Sequence, residues 1–217
     1  MLEHGWSYRG GGYNKQVPPQ AWADFDKYVR LAAEYLAAHS DVAFADSRAH
    51  QTLINIGRAA GWDRDKLWSL AQAGIKKDPE NDGLYLAVLT SLLPKWNGSP
   101  AQVDRFIAQV VERTRKERGM ELYARLYSAA AAQEFEHRLL SDSGAEWPKM
   151  MAGFRDLQAR YPSAWNLNRF AYFACLAQDK PTTLDLLEQI GPKPQLNRWG
   201  TNASRTYETC KRWASQQ

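Results

Sequence analysis

At 217 residues the chain is long enough to bury a sizeable core, and 44% hydrophobic with 24% charged residues is the balance of a globular protein rather than a disordered or fibrous one. Two cysteines are too few for a disulfide-stapled small fold, and neither has the closely spaced partners that a zinc site needs. The net charge is only +4, while nine Trp, ten Tyr and seven Phe make the chain aromatic-rich, and most such rings serve to fill gaps between helices.

Residues 1–19, with Arg9-Gly10-Gly11-Gly12-Tyr13 and Pro18-Pro19, read as an irregular lead-in. A helix follows from Gln20 to Ala38, with Trp22, Phe25, Val29, Ala32 and Leu36 on one face at spacings of three and four. A second runs from Ala45 to Ala60 and stops at Gly61. A third starts at Asp63, carries Leu67, Leu70 and Ala71, and ends at Asp78-Pro79. Asp82 to Leu93 is the next. Ser99 as N-cap, Pro100 at the first position and Gln102 closing a capping box then announce a helix that runs to Gly119 with Val103, Phe106, Ile107, Val110 and Val111 inward. Met120 to Phe135, Trp147 to Tyr161, Ala164 to Ala177, Thr182 to Ile190 and Asn202 to Ser215 complete the series, separated by Ser141–Ala145, Pro162 and Gly191–Pro194.

No segment alternates in the manner of a strand, so the expected fold is all-α, with about nine helices and no sheet. Breaks at Pro79, Gly119 and Pro162 recur every 40 or so residues. That period belongs to stacked antiparallel helical hairpins of the tetratricopeptide-like α-solenoid kind, which gives one helical-repeat domain over residues 20–217. The longest apolar run, Leu84 to Leu93, is too short to span a bilayer. The N-terminus lacks the basic and then apolar regions of a signal peptide, which favours a cytoplasmic over a periplasmic location.

Catalytic signals are thin. His4, His39, His50 and His137 are scattered, and none belongs to a His-Glu-x-x-His pair. Glu134 and His137 have the spacing that carboxylate-bridged metal proteins use on a bundle helix, but such a site needs a second copy and further Glu. Gly10 to Gly12 are followed by Tyr13-Asn14-Lys15 and preceded by no strand, so they do not make a Walker loop. No serine sits in a nucleophile elbow. The expectation is therefore a non-enzymatic protein with no cofactor and no metal; an enzyme using Glu134, Glu136 and His137 is the alternative.

Candidate partner-binding residues are few. Trp96 and Asn97 combine an aromatic with hydrogen-bonding groups, though Asn97-Gly98 also suits a tight turn with Trp96 plugging a gap between hairpins. Trp165, Asn168, Arg169 and Trp199 are the other candidates; Asn near a helix start has mediocre propensity and needs a reason, which for Asn166 is capping and for Asn168 a concave, peptide-gripping face. The charge excess lies from Lys193 onward, where Lys193, Arg198, Arg205, Lys211 and Arg212 face Glu208 alone among interleaved aromatics. Lys211 and Arg212 either contact an acidic partner or nucleic acid, or complement the negative end of the last helix. Cys175 and Cys210 stand either as two buried thiols or as a disulfide tying down the last helix, which would require an oxidising compartment.

Three stretches form a further pattern: Arg9-Gly10-Gly11-Gly12-Tyr13 with Trp22 and Phe25; Leu92-Leu93-Pro94-Lys95-Trp96-Asn97-Gly98-Ser99; and Trp165-Asn166-Leu167-Asn168 with Phe170-Ala171, Ala174-Cys175 and Asp179. Together they resemble the bacterial family known as domain of unknown function 4034, over most of the chain. Members more often carry Arg and Gly where this chain has Lys95 and Asn97. The resemblance implies a degenerate tetratricopeptide-like fold and no site. A rigid helical scaffold that holds a protein or peptide partner in a groove is the function these readings favour, ahead of the enzyme and of a nucleic-acid binder.

Overall fold

The computed structural model describes residues 1–11 and 16–216, and among them every regular element is helical. Gly12, Tyr13, Asn14 and Lys15, part of the glycine-rich stretch, lie outside the described residues. The chain forms two compact units, Met1–Ser91 and Leu92–Gln217.

The first unit opens with α1 (Leu2–Arg9), which replaces the expected irregular lead-in. It packs along α2 (Pro19–Ala38): Trp6 meets Phe25 with ring centroids 4.6 Å apart, and Leu2 and Trp22 join Phe25, Val29, Ala32 and Ile56 in one apolar cluster. Eight residues are too few for a periodic signal, and this helix is held by tertiary burial. After the single turn α3 (Ser40–Ala43), Asp46 caps α4 (Ser47–Ala59) by accepting from Arg48 N at 2.8 Å. Asp63 caps α5 (Arg64–Lys77), and α6 (Asp82–Ser91) follows. Ser47 Oγ donates to Asp78 (3.1 Å) and accepts from Asn81 Nδ2 (2.8 Å), which ties the start of α4 to the α5–α6 turn. His50 is buried in this unit against Phe44, and its Nδ1 forms no hydrogen bond among the described residues. Burial, with Lys77 adding to it and the Asp46 backbone partly offsetting it, holds the imidazole pKa below its ordinary 6.5.

The second unit begins with a tight 3₁₀ turn, Pro94–Trp96. Asn97 takes the left-handed conformation (φ 60°), and Gly98 N donates back to Leu93 O at 3.1 Å. A Cβ at Gly98 would collide with the Leu92 carbonyl, so glycine is required there. Ser99 then caps α7 (Pro100–Arg118), with Gln102 N donating to its hydroxyl at 3.3 Å. α8 (Glu121–Ala130) packs on both α7 and α10 (Trp147–Arg160). Gly153 of α10 lies so close to the Met120 carbonyl and Ala124 that no side chain fits. Glu121 is fully buried and receives Arg118 Nη2 at 2.6 Å, with Arg125 and Arg160 alongside. Tyr127 donates to Asp104 (2.8 Å), whose second oxygen accepts from Gly144 N.

The expected helix Met120–Phe135 is not continuous. It passes at Ala131–Phe135 into a π-helical turn, whose Gln133 carbonyl accepts from Lys95 Nζ at 2.7 Å. A short 3₁₀ turn (Glu136–Arg138) and α9 (Leu139–Asp142) follow, so the loop expected at Ser141–Ala145 begins only at Ser143. α11 (Ala164–Leu176), α12 (Lys180–Ile190) and α13 (Ala203–Ser215) close the unit, with a 3₁₀ turn at Leu196–Arg198. Phe154 of α10 stacks on Phe170 and Phe173 of α11 at centroid distances of 5.1 and 5.5 Å. A Cys175–Cys210 disulfide joins α11 to α13, so the two cysteines are not free thiols.

Candidate site around Arg169 and Trp165

The residues singled out in the sequence divide into a core pair and a surface group. Asn168 and Trp199 are both fully buried, so neither can touch a partner. Asn168 Oδ1 accepts from Trp199 Nε1 (3.0 Å) and from Gln195 N (3.0 Å), while its Nδ2 donates to Ala164 O (2.8 Å). An amide that satisfies an indole, a loop N–H and a helix carbonyl is a structural polar node. The concave, peptide-gripping role expected for Asn168 gives way to this one. Asn166 is likewise buried: its N–H is capped by Ser163 Oγ (3.1 Å) and its Nδ2 donates to Tyr161 O (2.8 Å).

Trp165 and Arg169 sit one turn apart on α11. Trp165 is 47% exposed, and the Arg198 guanidinium lies over its ring at 4.4 Å. Leu196, on the same 3₁₀ turn as Arg198, is also exposed. Arg169 is partly buried. Its Nη1 donates to Arg198 O (3.1 Å) and its Nη2 to Ser128 O (3.0 Å), and its guanidinium lies over the rings of Tyr172 (5.0 Å) and Phe173 (4.7 Å). Among the described residues no carboxylate pairs with it within 4.0 Å. Burial, reinforced by Arg198 and partly countered by Tyr172, pushes the Arg169 pKa down to about 10. The hydroxyl of Ser128, the residue whose carbonyl Arg169 holds, is buried with no hydrogen-bond partner.

The edge of this region is strained. Glu136, a non-glycine residue, has φ 50° and ψ −128°, directly after the π turn. Thr201 Oγ1 donates to its carboxylate at 3.2 Å. Burial raises the Tyr172 pKa, and the Glu136 charge adds to that rise against the lowering effect of Arg169. Tyr172 thus feels both Glu136 and Arg169, and Arg169 in turn feels Arg198. Neither the strain nor these charge interactions have a local sequence signal, since Glu136, Arg169 and Arg198 are far apart in the chain.

The remaining candidates do not join this group. Trp96 is half-buried and Asn97 is the exposed left-handed residue of its turn. Lys211 and Arg212 are exposed on α13. Glu134 lies in the π turn and His137 beyond Glu136, so the two do not share a face of one α-helix as their spacing suggested. Among the described residues no group of three or more His, Cys, Asp or Glu is placed to hold a metal ion. Nor, among them, is any helix long and apolar enough to cross a membrane.

No family model, curated protein or solved structure matches the chain.

Proposed function

We propose that this chain is a non-enzymatic interaction protein whose second unit binds a protein or peptide partner at the surface formed by Trp165, Leu196 and Arg198. The observation that carries the reading is the exposure of Trp165. Among the nine tryptophans it alone is exposed, while the others are buried or half-buried. Leaving an indole ring open to water costs burial free energy, and Trp and Arg are the side chains most enriched where partners bind. Arg198 stacked on the ring holds it in place and adds a charged donor. Tetratricopeptide-like stacking of hairpins is the architecture we propose for the helices, supported by their short connections and by the resemblance to domain of unknown function 4034. The Cys175–Cys210 disulfide supports an oxidising compartment rather than the cytoplasm.

The test is affinity capture from the native host with the intact chain and with Trp165→Ser. A surface substitution of this kind leaves stability within about 0.5 kcal/mol. The proposal requires a specific protein or peptide that the wild-type chain retains and the variant loses. Identical retention by both proteins, at equal stability, would overturn it.

A further inference from the structure

Arg169 is an anomaly within the surface just described. A guanidinium taken largely out of water is normally balanced by a carboxylate, because an uncompensated charge in a low-dielectric setting is costly. Here its partners are two neutral backbone carbonyls, Arg198 O and Ser128 O, and two aromatic faces. These fix the group's position and leave its charge uncancelled. Arginine carries five N–H donors. Those carbonyls engage one at Nη1 and one at Nη2, while Nε–H donates to no acceptor among the described residues. Ser128, whose carbonyl Arg169 holds, also has a buried hydroxyl with no hydrogen-bond partner. A second cation, Arg198, stands next to it over Trp165.

We infer that Arg169 is the receiving group for a carboxylate of the bound partner, with Trp165 taking the apolar part of the ligand beside it. The inference deepens the proposed function and rests on it. A planar guanidinium with Nε–H and Nη–H still to be satisfied matches the two oxygens of a carboxylate side by side. A carboxylate is the planar, singly charged group that matches the one planar edge Arg169 has left; a phosphate is tetrahedral and carries more charge than one guanidinium cancels.

The experiment uses the full, disulfide-bonded chain labelled with ¹⁵N-arginine. Its Arg169 Nε–Hε resonance is assigned by its absence in Arg169→Lys, and the chain is titrated at constant ionic strength with acetate, inorganic phosphate or chloride. The expected result is a saturable shift of that resonance with acetate and none with chloride, and thermal protection by acetate that is about tenfold weaker in Arg169→Lys. Circular dichroism and urea unfolding of that variant report whether the fold survives. If it does not, the resonance is assigned by through-bond correlation in the uniformly ¹³C,¹⁵N-labelled wild-type chain, and the wild-type acetate and chloride titrations decide alone. No acetate shift, an equal response to chloride, or tighter binding of phosphate than of acetate overturns the inference. A peptide with a free C-terminus compared with its amide, and with an internal Glu, then identifies the source of the carboxylate. Partner capture that depends on Trp165 but is unchanged in Arg169→Lys would remove this inference and leave the proposed function standing. Acetate binding without Trp165-dependent capture would do the reverse.

Discussion

Replacing Asn168 by Leu is the sharpest test of how the second unit is built. The amide oxygen accepts from the Trp199 indole N–H and from Gln195 N, both at 3.0 Å, within a site where Asn168 and Trp199 are fully buried. Leucine has similar bulk but no acceptor, so both donors lose their partner. A buried donor left unsatisfied costs about 1–3 kcal/mol. The indole bears the full penalty; Gln195 is an exposed residue, so its N–H bears the lower end. The expected loss is therefore about 2–4 kcal/mol, since Ala164 O keeps its helical partner. Urea unfolding followed by tryptophan fluorescence measures it. Trp199→Phe removes the buried donor, so the double variant should lose less than the sum of the two single ones. A loss below about 1 kcal/mol, or weakened partner capture at full stability, would refute the structural role and return Asn168 to the surface.

Three further outcomes are expected. Replacing Cys175 and Cys210 together by Ala opens a loop of 35 residues and should destabilise the second unit by about 4 kcal/mol, read as a lower urea midpoint than that of the oxidised chain. His50 is neutral in the fold with its pKa held below 6.5, so the unfolded chain takes up its proton first as pH falls. The first unit should therefore keep its full His50 contribution above pH 6.5 and lose it progressively as pH drops towards the folded-state value, and His50→Gln should flatten that slope in unfolding measured from about pH 7.5 to 5. Glu136→Gly relieves a positive φ that costs about 1–3 kcal/mol in a non-glycine residue, so it should raise the melting temperature despite glycine's larger unfolded-state entropy.

How much of this was readable beforehand depends on range. α7 was legible to the residue because Ser99, Pro100 and Gln102 are a local capping signal and its apolar stripe is regular. The all-helical class followed from the same periodicity. α1 was not legible, since eight residues including Gly5 form a helix only by packing on α2. The break in the helix beginning near Met120 was hidden in an alanine-rich run with strong helix propensity; the π turn there accepts from Lys95, a residue 38 positions earlier. The site suffered most. Asn168 and Trp199 are 31 residues apart, and only the fold shows that they satisfy each other rather than a ligand. The hydrogen bonds of Arg169 to the Ser128 and Arg198 carbonyls likewise have no local mark in the sequence.

The central claim is that the Trp165 face is where a partner binds. A photo-crosslinking amino acid placed at position 165 in the native host tests it most directly, with the exposed Arg105 of α7 as the comparison position. Irradiation should give a discrete higher-mass adduct from position 165 and none from position 105. No adduct at 165, or the same adducts from both positions, would contradict the account.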